Sequence, residues 1–292
     1  MTARFPVAVA LLAQAAIPGA PPPQTVYRAQ TDVVVIDAAV TNGRTPVTNL
    51  TKDDFEVKDN GVVQSILDFS RETAPLDVTV TIDVSGSMTR ADRVVVERAL
   101  AAISGALTPA DRAAVVTFGS QITERVPLQP GPIVADLSTI GSGGSAVFDA
   151  LLLALVTPPA PGRRQFGLFM TDGEDNASLF DSRTVVETAR HAGSLISIVV
   201  VENRASLSVQ GALRAVALNT GGEVIELKKK DGLSFAFLTA LENFRTSYVL
   251  RYSPTGVEPT GWHDVSVSVR SRGYTVRARR GYWGVGTKRP DR

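Results

Sequence analysis

The sequence predicts an α/β protein: a doubly wound, mostly parallel sheet through the middle of the chain, with a β-rich accessory domain assembled from its two ends. Three observations predict it. From Leu76 onward strand-like and helix-like stretches alternate, the mark of parallel strands joined by crossover helices. The stretches before Pro75 and after Tyr248 carry strand and turn signals in place of that alternation. The 292 residues are 44% hydrophobic and 20% charged, which favours a globular chain with a large core over a disordered one.

The amino terminus has the form of an export signal, assigned to residues 1–24. Arg4 supplies a thin positive region, Phe5 to Ile17 an apolar run, and Gly19 to Pro23 the small residues and prolines that follow. The run is short for a membrane span, and no transmembrane candidate follows it. A net charge of +1 calls for neither nucleic acid nor an anionic membrane. The absence of cysteine removes disulfides, thiolate metal sites and cysteine nucleophiles together. An exported chain of this kind is expected in a periplasm or outside the cell.

Residues 25–75 form the amino-terminal β-rich segment. Asp32 to Thr41 is strand-like, and Asn42-Gly43 is a two-residue turn signal. Leu50 to Phe55 is a turn of helix capped by Thr51. Phe55 to Lys58 and Val62 to Phe69 flank Asp59-Asn60-Gly61 as a second hairpin. Residues 76–245 carry the α/β region. Val78, Val80 and Ile82 alternate with Thr79 and Thr81, a β-branched strand that runs into Asp83. Arg90 to Leu107 has helical apolar spacing. Ala113 to Phe118 is a strand, with Ile122 to Leu128 folded back on it as an edge. Ile133 to Ile140 reads as a short helix or turn. A helix opens near Ser145 and runs to about Val156. The strands Gln165 to Thr171, Leu195 to Val201 and Glu223 to Leu227 then alternate with the helices Ser182 to Ala192, Ser208 to Asn219 and Leu233 to Phe244. Residues 246–284 return to strands at Tyr248 to Tyr252, Trp262 to Ser271 and Tyr274 to Arg280, expected to pair with the amino-terminal segment. Residues 285–292 are expected to be a disordered tail.

Asp83, Ser85 and Ser87 place one carboxylate and two hydroxyls at alternate positions just past a strand end, with Gly86 between them. In an open α/β sheet that is where ligands bind, and such oxygens suit a hard divalent cation. The stretch Asp83-Val84-Ser85-Gly86-Ser87 resembles the Asp-x-Ser-x-Ser signature of von Willebrand factor type A domains and their metal-ion-dependent adhesion site. Gly143 to Leu151 is similar to the loop and helix start that supply the family's hydroxyl ligand, usually Thr and here Ser145. Phe169 to Asn176 is similar to the strand end bearing its second Asp, here Asp172. More loosely, Leu50 to Gly61 and Arg279 to Trp283 resemble the flanks of exported bacterial members.

The resemblance implies a Rossmann-like domain and a metal site of Asp83, Ser85, Ser87, Ser145 and Asp172, holding Mg²⁺ with Mn²⁺ or Ca²⁺ as substitutes. In the family the first three positions coordinate, the Ser145 position binds when a ligand engages, and the Asp172 position often acts through water. It implies a partner protein offering an acidic side chain. The alternative is a scaffold that binds through the β-rich part, with the metal structural or vestigial.

Blander roles stand beside these. Asp83 could cap the following helix, with Ser85 and Ser87 as turn formers. Asp175 and Asn176 read as turn and cap residues, and Asp149 as a cap partner. His191 and His263 have no second His or Cys nearby for zinc. Lys228-Lys229-Lys230 reads as a solvated loop, and Arg270, Arg272, Arg277, Arg279 and Arg280 as the exposed face of an edge strand. Catalysis is not expected. An aspartyl phosphatase would place a second Asp where Ser85 stands, and the Gly-Ser-Gly-Gly-Ser run ending at Ser145 lacks a phosphate-loop Lys.

Overall fold

The computed structural model describes residues 33–71, 74–137, 143–271 and 273–286. The strands of the first part are β1 (Val34–Asn42), β2 (Thr45–Pro46), β3 (Phe55–Asp59), β4 (Val62–Gln64) and β5 (Ile66–Ser70). The middle runs β6 (Leu76–Asp83), α1 (Arg90–Ala106), β7 (Arg112–Phe118), β8 (Ile122–Pro130), α2 (Val147–Val156), β9 (Arg164–Thr171), α3 (Ser182–His191), β10 (Leu195–Val201), α4 (Leu207–Thr220), β11 (Val224–Leu227) and α5 (Leu233–Arg245). The chain closes with β12 (Tyr248–Tyr252), β13 (Thr260–Val269), β14 (Thr275–Arg277) and β15 (Gly281–Val285). The expected export segment lies outside the described residues. Among the described residues no helix is long and apolar enough to cross a membrane.

The central sheet has the order β11-β10-β9-β6-β7-β8, parallel throughout except for β8, which folds back antiparallel on β7. Its strands are apolar on both faces because both faces are covered. Val78, Val80 and Ile82 of β6 pack with Val96, Ala99, Leu100 and Ile103 of α1 and Leu233, Phe237 and Leu241 of α5. Phe169, Ile196, Ile198 and Val200 pack with α2, α3 and α4 on the other side. From β6 the chain moves outward through β7 in one direction and through β9, β10 and β11 in the other. The carboxyl ends of β6 and β9 therefore bound a topological switch point, where an open α/β sheet leaves a crevice.

The chain ends pair with each other. In one sheet, ordered β14-β1-β12-β5, Val34 to Ala38 run antiparallel to Tyr252 to Tyr248. In another, ordered β15-β13-β3-β4, Val265 to Val269 lie opposite Asp59 to Phe55. Ile36, Val57, Tyr248, Leu250 and Tyr252 form the core between them, with Phe55, Phe69 and Tyr248 packed ring to ring. The two turns that join β1 to β2 and β3 to β4 use left-handed residues: Gly43 at φ 59°, and Asn60 and Gly61 at 46° and 81°.

Four expectations are corrected. The strand Val62 to Phe69 is two strands in two sheets: β4 pairs with β3, while β5 pairs with β12. The inward–outward alternation continues through the break, so its pattern carries no sign of the switch; Gln64 fastens the corner by accepting the Thr255 amide at 2.9 Å. Ile133 to Leu137 forms no helix, although Ile133 and Leu137 are buried under the sheet; residues 138–142 lie outside the description. The strand expected to reach Arg280 stops at Arg277, and β15 runs on through Val285, the first residue of the expected tail. Finally, of the arginines expected on an exposed face, Arg270 and Arg280 are exposed but Arg277 and Arg279 are not, and Arg272 lies outside the described residues. Tyr274, Val276 and Ala278 pack on the end-strand core, while Arg277 pairs with Glu223 at 2.9 Å and Arg279 donates to the Gly281 carbonyl at 2.7 Å.

Candidate metal centre

β6 is almost wholly buried as far as Asp83, then Gly86 and Gly143 bring two loops together at its end. The Gly86 amide donates to the Gly143 carbonyl at 3.1 Å, and a Cβ on Gly86 would lie 3.3 Å from that same oxygen. The Ala146 amide donates to Gly119 at 2.9 Å, and Val84 to Phe118 at 2.7 Å. Main-chain bonds thus stitch three loops at the switch point before any side chain is considered.

Asp83 is 3% exposed and sits at the centre. Its Oδ1 accepts the Ser85 amide at 3.0 Å, and its Oδ2 accepts the Ser145 hydroxyl at 2.8 Å and the Thr171 hydroxyl at 2.9 Å. Burial pushes the Asp83 carboxyl above its ordinary value, and the Ser85, Ser145 and Thr171 donors only partly offset it. The Ser85 and Ser87 hydroxyl oxygens are 3.4 Å apart. No hydrogen bond joins Asp172 to Asp83 among the described residues. Asp172 borders the same small pocket with Ser87, Met88, Met170 and Lys230, its Oδ1 accepting the Glu174 amide at 3.2 Å and its Oδ2 lying 4.0 Å from Arg204. Asp83 does not cap α1; Thr89 does, in a reciprocal box with Asp92.

The residues read as turn and cap formers have more specific work. Asn176 accepts the Ser145 amide at 2.8 Å, and the amides of Asn176 and Ala177 donate to the Ser145 carbonyl at 3.1 Å. Asp175 accepts the Val147 amide at 2.9 Å and Ser178 the Phe148 amide at 3.0 Å, so the loop after β9 caps α2. Asp149 returns the favour by accepting the Leu179 and Phe180 amides at 3.0 Å. Ser145 is thereby held from both sides.

Two contributors escaped sequence reasoning. Thr171, fully buried, lies inside the quoted Phe169 to Asn176 stretch, and its signal was the hydroxyl immediately before Asp172. Lys230, read as solvated, has a side chain only 11% exposed, lines the pocket and pairs with Asp92 at 2.9 Å. Lys228 and Lys229 are exposed as expected.

The donor set fits a hard cation. Two buried carboxylates and three hydroxyls meet at one edge without thiol or imidazole. Among the described residues no cluster of three or more His, Cys, Asp or Glu forms, so a cation here would depend on the hydroxyl oxygens.

The family profile of the von Willebrand factor type A domain matches residues 77–235, more than half of the chain. No curated protein matches. Among solved structures, the chain is similar to proximal thread matrix protein 1 from the mussel byssus with a zinc-occupied MIDAS motif, at 17% identity and a TM-score of 0.49, covering 63% of this chain and 49% of that one. It is also similar to a von Willebrand factor type A structure from Catenulispora acidiphila (14% identity, TM-score 0.48, 89% of this chain, 76% of that one). A third is the ArnB paralog VWA2 from Sulfolobus acidocaldarius (11%, 0.49, 85% and 75%). This chain spans about half the length of the mussel protein.

Proposed function

The chain belongs to the von Willebrand factor type A domain family, whose domains often mediate metal-dependent protein interactions, and from that premise we propose that it is a divalent-cation-dependent protein-binding module. Asp83, Ser85, Ser87, Ser145 and Asp172 hold the ion, Mg²⁺ in the first place and Mn²⁺ or Ca²⁺ as substitutes. The bound ion supplies a positively charged docking point for an acidic side chain of the partner. The protein binds and does not catalyse.

The observation that carries this reading is the electrostatic state of Asp83. It is buried, every donor reaching it is neutral, and no basic side chain among the described residues pairs with it. A buried carboxylate left without a counter-charge is costly. With Asp172 on the same pocket, two negative groups match one divalent cation. Ser145 donates its hydroxyl proton to Asp83, which leaves the oxygen lone pairs for the ion, and the missing methyl of Thr makes it a more mobile ligand. Arg204, 53% exposed beside Asp172, adds positive potential for an incoming acidic group, whereas Lys230 is already paired with Asp92.

We place the module in the periplasm or at the cell surface on the strength of the signal-like start and the absence of cysteine. Residues 76–245 form the binding unit, and the strands of the two chain ends form its accessory β-rich mount. The test is capture of partners from the source organism's envelope on immobilised protein, with Mg²⁺ and with chelator, alongside Asp83→Ala. A partner retained only with Mg²⁺ and only by the unaltered chain supports the reading; retention in chelator or by the variant contradicts it.

A further inference from the structure

The central sheet ends on one side at β11, and the pairing of that strand leaves half of its backbone unspent. The amides of Ile198 and Glu202 donate to the carbonyls of Glu223 and Leu227 at 2.8 Å. Successive residues of a strand turn their N–H and C=O groups to opposite sides. The odd-numbered positions therefore face β10, while Val224 and Glu226 turn both groups away from the sheet. A groove runs along this edge, walled by Phe235, Thr239 and Asn243 of α5 and by Thr41 and Arg44 of the β1–β2 hairpin. Its apolar lining is Ile225, Leu227 and Phe235, the last 60% exposed.

Two buried polar atoms in the same groove have no partner. Asn243, 6% exposed, donates Nδ2 to Glu223 at 3.1 Å, which leaves its Oδ1 buried and unpaired. Arg277 spends Nη1 on Glu223 at 2.9 Å, and its Nη2 is buried and unpaired. Orphaned buried groups call for an explanation, and here an acceptor and a donor stand beside an open strand edge. The charges left over are positive. Glu223 is engaged by Arg277 and Asn243, and Glu226 pairs with Arg214 at 3.1 Å. Arg44 at the groove mouth is exposed and has no carboxylate partner among the described residues.

We propose that this groove is a second recognition site, which takes an extended acidic peptide segment of a partner protein as an added strand on β11. The peptide main chain pairs with Val224 and Glu226, alternate apolar side chains fall on Phe235 and Ile225, and a carboxylate meets the exposed Arg44 at the groove mouth. No cation takes part, so the proposal stands apart from the metal centre.

The test selects linear hexapeptides from a displayed library on the full chain in chelator, then measures binding and amide hydrogen exchange. Enriched peptides alternate apolar and polar residues, carry an acidic residue, and slow exchange at Val224 and Glu226 at least tenfold. Glu226→Pro removes the outward N–H while sparing the ladder to β10, and abolishes binding. Arg44→Glu, an exposed change that leaves folding alone, weakens binding at least fivefold. No enrichment, or enriched peptides that bind both variants as tightly as the unaltered chain, overturns the proposal. Concentration-dependent protection of Val224 and Glu226 without peptide also overturns it, because the occupant is then a second copy of this chain.

Discussion

Two buried aspartates sit in two layers of this molecule, and the chain treats them in opposite ways. Asp59, fully buried in the end-strand core, is closed off by its own protein: Tyr252 donates to it at 2.9 Å, Tyr282 at 2.8 Å, and the His263 Nδ1 lies at 2.8 Å. These partners come from β12, β15 and β13, so one carboxylate ties β3 to three other strands. Burial first, and the neighbouring Tyr282 and Asp59 next, push the Tyr252 phenol far upward, which keeps it a neutral donor. Asp83 is nearly as buried, yet it receives one amide and two hydroxyls and borders a pocket with a second carboxylate. Each carboxylate has three partners, but Asp59 is sealed within the end-strand core whereas Asp83 opens onto a pocket that Asp172 shares. Burial of a carboxylate is thus no mark of function by itself; the informative feature is whether it opens onto a pocket shared with a second charge.

The largest effect is expected in the sealed cluster. Asp59→Ala strips three buried donors of their acceptor and costs about 3 to 5 kcal/mol, read as a lower urea midpoint that Mg²⁺ does not restore. At the open site, Gly144→Ala drives a Cβ into the Asn176 side chain and to 3.0 Å from the Ala177 Cβ. It costs about 1 to 3 kcal/mol and, by displacing Ser145, shrinks the Mg²⁺-induced rise in melting temperature. Asp149→Ala removes the acceptor of the Leu179 and Phe180 amides. Its cost is about 1 kcal/mol, seen as faster exchange of those two amides with the Asp59 cluster untouched.

The smallest effect belongs to neither cluster. Burial acts to raise Asp111, but the Leu76 and Thr108 amides, the Thr108 hydroxyl and Arg245 outweigh it and hold the carboxyl below its ordinary value of 3.8. Asp77 is likewise held low against burial by Arg112 and Arg163. A depressed acid stabilises the fold above its unfolded value and loses that contribution as pH falls through its folded value. Stability is therefore expected to fall below about pH 4 through these two residues. Asp111→Asn flattens that acid limb in denaturant titrations.

The α/β part was legible because burial on both faces writes its strands as apolar runs and its crossovers as helical periods; β6, β9 and β10 are examples. The positions of Asp83, Ser145 and Asp172 at loop ends were legible from three ordered motifs. What stayed hidden depends on contacts distant in sequence. Nothing local distinguishes Asp59 from an ordinary turn residue, because its partners lie 193 to 223 positions away. Lys230 looks solvated beside two other lysines until α1 brings Asp92 against it. The sheet switch at Ser65 leaves the alternation of side chains intact, and only the pairing partners change. Arg277 and Arg279 alternate as an exposed face would, and the neighbouring α/β layer covers them.

The central claim is that Asp83 is left for a cation to complete, and calorimetric titration of Mg²⁺ into the full chain tests it most directly, with Asp83→Asn as the paired sample. That variant keeps an acceptor for Ser145 and Thr171 but sets its NH₂ against the Ser85 amide, so without metal it is expected to lose about 1 to 3 kcal/mol of stability and still fold. The unaltered chain should titrate as one site and, at a hundredfold excess over its dissociation constant, gain about 2.7 kcal/mol of stability, while Asp83→Asn shows no binding heat. Equal Mg²⁺ binding by both, or by neither, would contradict the account.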